Sequence, residues 1–118
     1  METIERYRQT AHSRKIARQQ RLALRQQQAW VTAKRAAQLL KDEFGATRVV
    51  AFGSVLHPSL FHTRSDIDLA VWGLNEHEYY RALSHLLSLD PGISVDLIEF
   101  EYARPTLQSV IQNNGVVL

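Results

Sequence analysis

Asp66 and Asp68 stand two residues apart in a run where Ile67, Leu69 and Val71 alternate with them. Alternation of that kind belongs to a strand, so Asp66, Asp68 and Ala70 point from one face and the apolar residues from the other. Two unscreened carboxylates on one face repel each other, and a divalent ion relieves that repulsion, so the pair is suited to a hard cation that takes oxygen ligands. Asp96, set between Val95 and Leu97, is poor strand material unless it faces a polar site, and it supplies a third carboxylate. Three such groups can bridge two Mg²⁺ ions about 3.5–4 Å apart. Upstream, Gly53 and Ser54 end a β-branched run. Glycine permits a sharp turn and a close backbone approach to a phosphate, while Ser54 adds a hydroxyl and a free N–H at the expected start of a helix. Together they make a cradle for a triphosphate.

The elements that must hold these residues are legible from composition. No Gly or Pro occurs before Gly45, and Ala, Leu, Gln, Arg and Lys dominate that stretch, which predicts a helix over 1–44 reaching about 66 Å. Leu22, Ala29, Ala33, Ala37, Leu40 and Phe44 recur at helical spacing and should pack on the rest of the chain, with Gly45 as the stop. The first half has few large apolar residues (Ile4, Tyr7, Ile16), so residues 1–20 are expected to project or to dock on a partner. From residue 45 onward short β-branched runs alternate with helical stretches, the signature of an α/β or α+β domain. Strands are expected at 48–52, 66–72 and 94–100, and helices at 76–89 and 102–113, the latter with Pro105 in its first turn and Gly115 at its close.

A chain of 118 residues suits one domain, divided here into a basic helical arm over 1–44 and a core over 45–118. Residues 1–43 carry ten Lys/Arg against four Asp/Glu, a net of +6, and the remainder carries four against eight, a net of −4. An acidic partner should therefore meet the arm. Direct nucleic-acid binding is not the expectation, because no aromatic residues interleave the cations and Arg/Gln-rich helices more commonly serve as solvated or partner-docking faces. Without cysteine there is no disulfide framework and no thiolate metal site. No apolar run of signal-peptide or membrane-spanning length is present, so a soluble, cytoplasmic protein without membrane attachment is expected.

The segments Val49-Val50-Ala51-Phe52-Gly53-Ser54, Ser65-Asp66-Ile67-Asp68-Leu69-Ala70-Val71, Val95-Asp96-Leu97-Ile98 and the C-terminal Ile111 to Leu118 resemble the minimal nucleotidyltransferase family, a branch of the DNA-polymerase-β-like superfamily. The resemblance covers residues 45–118 and leaves the arm outside. It implies an α+β fold, a small mixed sheet packed with helices and here preceded by the long N-terminal helix. It also implies that Gly53, Ser54 and Ser65 bind the nucleotide, that Asp66, Asp68 and Asp96 hold two Mg²⁺, and that Asp96 assists deprotonation of an attacking hydroxyl. The sequence departs from the family where Val55-Leu56-His57-Pro58 replaces the usual Arg and Gly after Gly-Ser. His57 or Arg64 stands near enough in sequence to supply the missing positive charge.

In that family the partner is often a HEPN-domain ribonuclease toxin and the nucleotidyltransferase its antitoxin. The resemblance thus implies AMP transfer from ATP to a tyrosine of the toxin within a hetero-oligomer, with a non-catalytic antitoxin that neutralises by binding as the alternative. Transfer to a small molecule needs an acceptor pocket that the 74 residues after the arm leave little room to build.

Overall fold

The computed structural model describes residues 2–57, 59–62 and 64–118. With nothing to interrupt its hydrogen-bond ladder, a single helix, α1, runs Glu2–Phe44. Gly45 ends it at φ +75°, and the Ala46 N–H donates back across the glycine to the Leu40 carbonyl at 3.1 Å, a closure that a left-handed glycine allows. The chain continues through β1 (Arg48–Phe52), a 3₁₀ turn (Gly53–Leu56), β2 (Ile67–Trp72), α2 (Tyr79–Leu87), β3 (Val95–Glu99), a second 3₁₀ turn (Phe100–Tyr102), α3 (Pro105–Asn114) and β4 (Val116–Val117).

The strands form one mixed sheet in the order β3-β2-β1-β4. β1 is antiparallel to β2 and to β4, whereas β2 and β3 run parallel. Strand alternation divides the core into two layers. Val49, Ala51, Leu69 and Val71 meet Ala33, Ala36, Leu40 and Phe44 of α1 and Ala82 and Leu86 of α2. On the other face Val50, Phe52 and Ala70 meet Ile111 of α3. This is the expected α+β architecture, a small mixed sheet packed with helices and preceded by a long N-terminal helix. The radius of gyration is 18.0 Å, where a compact chain of this length would show about 13.5 Å. The excess comes from α1, buried along one side from Ala29 to Phe44 and largely exposed before that.

Several boundaries differ from the expected ones. α2 begins at Tyr79 rather than Glu76 because His77 takes φ +62°, which no right-handed helix accommodates. The residues after Gly53 make a single 3₁₀ turn, not an α-helix. Asp66 lies one residue ahead of β2. The C-terminal Val116 and Val117, expected only to follow a helix stop, pair with Ala51 and Val50 of β1, and the Leu118 N–H donates to the Val49 carbonyl at 2.9 Å. No helix among the described residues is long and apolar enough to cross a membrane.

Candidate active site

The end of β1 and the start of β2 and β3 form one corner of the sheet. Phe52 leaves β1 in extended conformation, and Gly53 then turns with φ +79°. A side chain at Gly53 would run into the Asp68 carboxylate, so this position needs glycine for its backbone conformation and for space. Two contacts hold the turn. Val55 is buried in the α1 layer, and the Gln26 amide of α1 donates to the Val55 carbonyl at 2.8 Å. Ser54, half-buried, accepts the His57 N–H on its own carbonyl at 3.0 Å.

Asp68 is opposite Phe52 across the β1–β2 ladder and opposite Asp96 across the parallel β2–β3 ladder. Asp68 and Asp96 share the α3 face with Ala70 and Ile98, two residues further along their strands. Asp68 is half-buried while Asp66 and Asp96 are exposed. The Asp68 carboxyl is pushed up from 3.8 to about 6, first by burial, then by the charge of Asp96 and then by that of Asp66. Asp68 thus feels the charge of both Asp96 and Asp66. Their arrangement is open: among the described residues no three His, Asp or Glu side chains gather closely enough to enclose an ion by themselves. An excess of negative charge on an open set of oxygen ligands fits a cation such as Mg²⁺, which commonly takes one or two carboxylates and completes its shell with phosphate oxygens and water.

The loop into β2 is organised by Ser65. It is buried at 6% exposure, its hydroxyl accepts the His62 N–H at 2.9 Å, and its own N–H donates to the His62 carbonyl at 3.0 Å. His62 Nδ1 in turn accepts the Arg64 N–H at 3.1 Å. Ser65 therefore sits beneath the surface, directly before Asp66, with its hydroxyl engaged inside the loop. His57, His62 and Arg64 are exposed on the same loop, and Pro58 lies outside the described residues.

One neighbour of the site had no signal in the sequence. Tyr79, on the first turn of α2, donates its hydroxyl to the Leu97 carbonyl of the edge strand at 2.6 Å. Its phenol is pushed up by burial, then by Asp96, Glu99 and Tyr80. Only the packing of α2 against β3 brings it beside Asp96.

A glycine turn facing paired strand aspartates on a small mixed sheet defines a nucleotidyltransferase. The chain belongs to the polymerase beta nucleotidyltransferase family, whose model matches residues 34–118. The match includes the last turns of α1 and leaves residues 1–33 outside. Among solved structures the chain is similar to a chain of a toxin–antitoxin complex with AMP-PNP, at 26% identity and a TM-score of 0.57, over 68% of this chain and 66% of that one. It is also similar to a chain of the tri-AMPylated Shewanella oneidensis HEPN toxin in complex with MNT antitoxin, at 22% identity and a TM-score of 0.56, over 75% and 70% of the two chains. A third likeness is to a candidate minimal nucleotidyltransferase, at 24% identity and a TM-score of 0.52, over 85% of this chain and 95% of that one. No curated protein matches.

Proposed function

We propose that this chain is a cytoplasmic antitoxin that transfers AMP from ATP to a tyrosine hydroxyl of a HEPN-domain toxin, in a Mg²⁺-dependent reaction. The observation that carries the reading is the grouping of Asp66, Asp68 and Asp96 beside the Gly53 turn, where the Asp68 carboxyl is pushed up to about 6. Support also comes from the likeness to complexes that hold AMP-PNP in one case and an AMPylated HEPN toxin in another. In this reading the backbone of Gly53 and Ser54 receives the triphosphate. Asp66, Asp68 and Asp96 would hold the ion, and Asp96 would also accept the proton of the attacking hydroxyl. The tyrosine oxygen forms a bond to the α-phosphorus as the bond from that phosphorus to the α–β bridging oxygen breaks, and pyrophosphate leaves in line. Bound Mg²⁺ would neutralise charge developing on the attacking and leaving oxygens.

A second reading is a non-catalytic antitoxin that neutralises by binding, and Val55-Leu56-His57-Pro58 in place of the family's usual Arg and Gly after Ser54 favours it. One experiment separates the two. The chain is incubated with α-labelled ATP, Mg²⁺ and a co-expressed HEPN-domain protein, with and without chelator. Chelator-sensitive label on a tyrosine of the HEPN protein supports transfer. A stable complex that never takes label supports binding alone.

A further inference from the structure

On a helix of about 3.6 residues per turn, positions eighteen apart share one azimuth. In α1 this aligns Ile4, Leu22 and Leu40, and it aligns Ala11 with Ala29. Leu40 and Ala29 are fully buried, Leu22 is half-buried and Ile4 is 59% exposed. The side of α1 that packs on the sheet therefore continues beyond the domain, and among the described residues none covers it there. Tyr7, three residues from Ile4 and four from Ala11, lies on the same side and is 77% exposed. Ile4, Tyr7 and Ala11 thus form the i, i+3, i+7 pattern by which a helix anchors in a groove.

The next turns change character. Lys15 and Arg18 take the azimuths that Ala33 and Ala36 occupy in the core, so the seam turns from apolar to cationic between Ala11 and Leu22. Between Glu5 and Asp42 the helix carries ten basic residues and no acidic one. Arg8, four residues from Ile4, adds one cation to the otherwise apolar end, so a groove complementary to this seam is mostly apolar at one end and lined with carboxylates in its middle. A phosphate polyanion does not fit as well, because its charges would face Ile4 and Tyr7 at the end of the seam.

We propose that residues 4–18 of α1 are a docking helix for the protein partner, with Ile4 and Tyr7 as apolar anchors and Arg14, Lys15 and Arg18 pairing with acidic side chains of its groove. The partner is the acceptor protein, so the inference rests on the proposed function. The anchors are exposed and outside the core, so their replacement leaves the fold intact.

The test uses the full chain with a co-expressed HEPN-domain protein, with AMP-PNP and Mg²⁺, and with a short RNA duplex as a competing polyanion. Ile4→Ser with Tyr7→Ser is expected to weaken HEPN binding by about tenfold or more, the loss that follows removal of central interface anchors. Arg14→Glu with Arg18→Glu should weaken it similarly and flatten its salt dependence. AMP-PNP affinity should stay at the parent value in both variants. HEPN binding unchanged in the first variant overturns the proposal. So does RNA-duplex binding that only the charge reversals abolish while HEPN affinity persists, or a dimer of the chain alone that the first variant dissolves. A parent chain that fails to bind AMP-PNP with Mg²⁺ sinks the nucleotidyltransfer reading instead, whatever the arm does.

Discussion

The Asp68 carboxylate occupies the space that a side chain on Gly53 would need. The Gly53 turn and the central acid are therefore coupled by contact, and Gly53 also holds a left-handed φ of +79°. Gly53→Ala should cost about 1–2 kcal/mol of stability from the backbone alone and should also displace Asp68. Mg²⁺-dependent AMP-PNP affinity in calorimetry is expected to fall with it. Gly92→Ala is the control, since Gly92 has no left-handed φ and its nearest neighbour is a flexible carboxylate at 3.3 Å, so both quantities should stay near the parent.

Asp68 also predicts how stability changes with pH in metal-free protein. Its folded-state value of about 6 lies above its ordinary 3.8, so the native state holds a proton that the unfolded chain has released. Through this group stability falls as pH rises from 3.8 to about 6 and stays lowered above that, while below 3.8 both states are protonated and the effect vanishes. Asp68→Asn should thus melt higher than the parent at pH 7.5, by on the order of 1 kcal/mol once solvent screening of a half-exposed group is allowed for, and equally at pH 3.5. Added Mg²⁺ should raise the parent's melting temperature at pH 7.5 and leave the variant's unmoved. A variant no more stable than the parent at pH 7.5 contradicts the crowding of charge described for this corner.

Asp66→Asn with Asp68→Asn keeps side-chain size and removes the charge that would hold an ion. Transfer of label should drop by about 10²–10³-fold or more, the scale of losing a preorganised charge-stabilising group. Circular dichroism should be unchanged. Label transfer at the parent rate would show that these acids do not carry the chemistry.

The strand positions of Asp68 and Asp96 were legible because a strand's period of two and the rarity of an acid between Val95 and Leu97 are local signals, whereas Asp66 falls one residue short of β2. The same is true of α1, whose length follows from the absence of Gly and Pro before Gly45. What escaped was set by tertiary contact. Val116 and Val117 become a strand only because β1 offers an open edge, and Tyr79 reaches the Leu97 carbonyl, next to Asp96, only through the packing of α2. The start of α2 was missed because a left-handed His77 has no compositional mark of the kind glycine provides. Ser65 could be seen beside Asp66, but its burial against His62 depends on how the loop closes.

The point at which α1 joins the core can be found by truncating two leucines of the same helix. Leu40 is fully buried between the sheet and α2, in contact with a layer that includes Phe44, Val49 and Leu86. Leu40→Ala removes that apolar volume and leaves a cavity that close-packed neighbours fill only partly, a loss of about 2–5 kcal/mol. Leu24, sixteen residues earlier, is 59% exposed and off the buried azimuth. Leu24→Ala gives up little burial and improves helix propensity slightly, so it should change stability by no more than about 0.5 kcal/mol. Denaturant midpoints of the two variants measure the difference directly. A Leu24→Ala loss equal to that of Leu40→Ala would mean that the first half of α1 is packed in the folded chain, and the exposed seam from Ile4 to Arg18 would then have an occupant within the molecule itself.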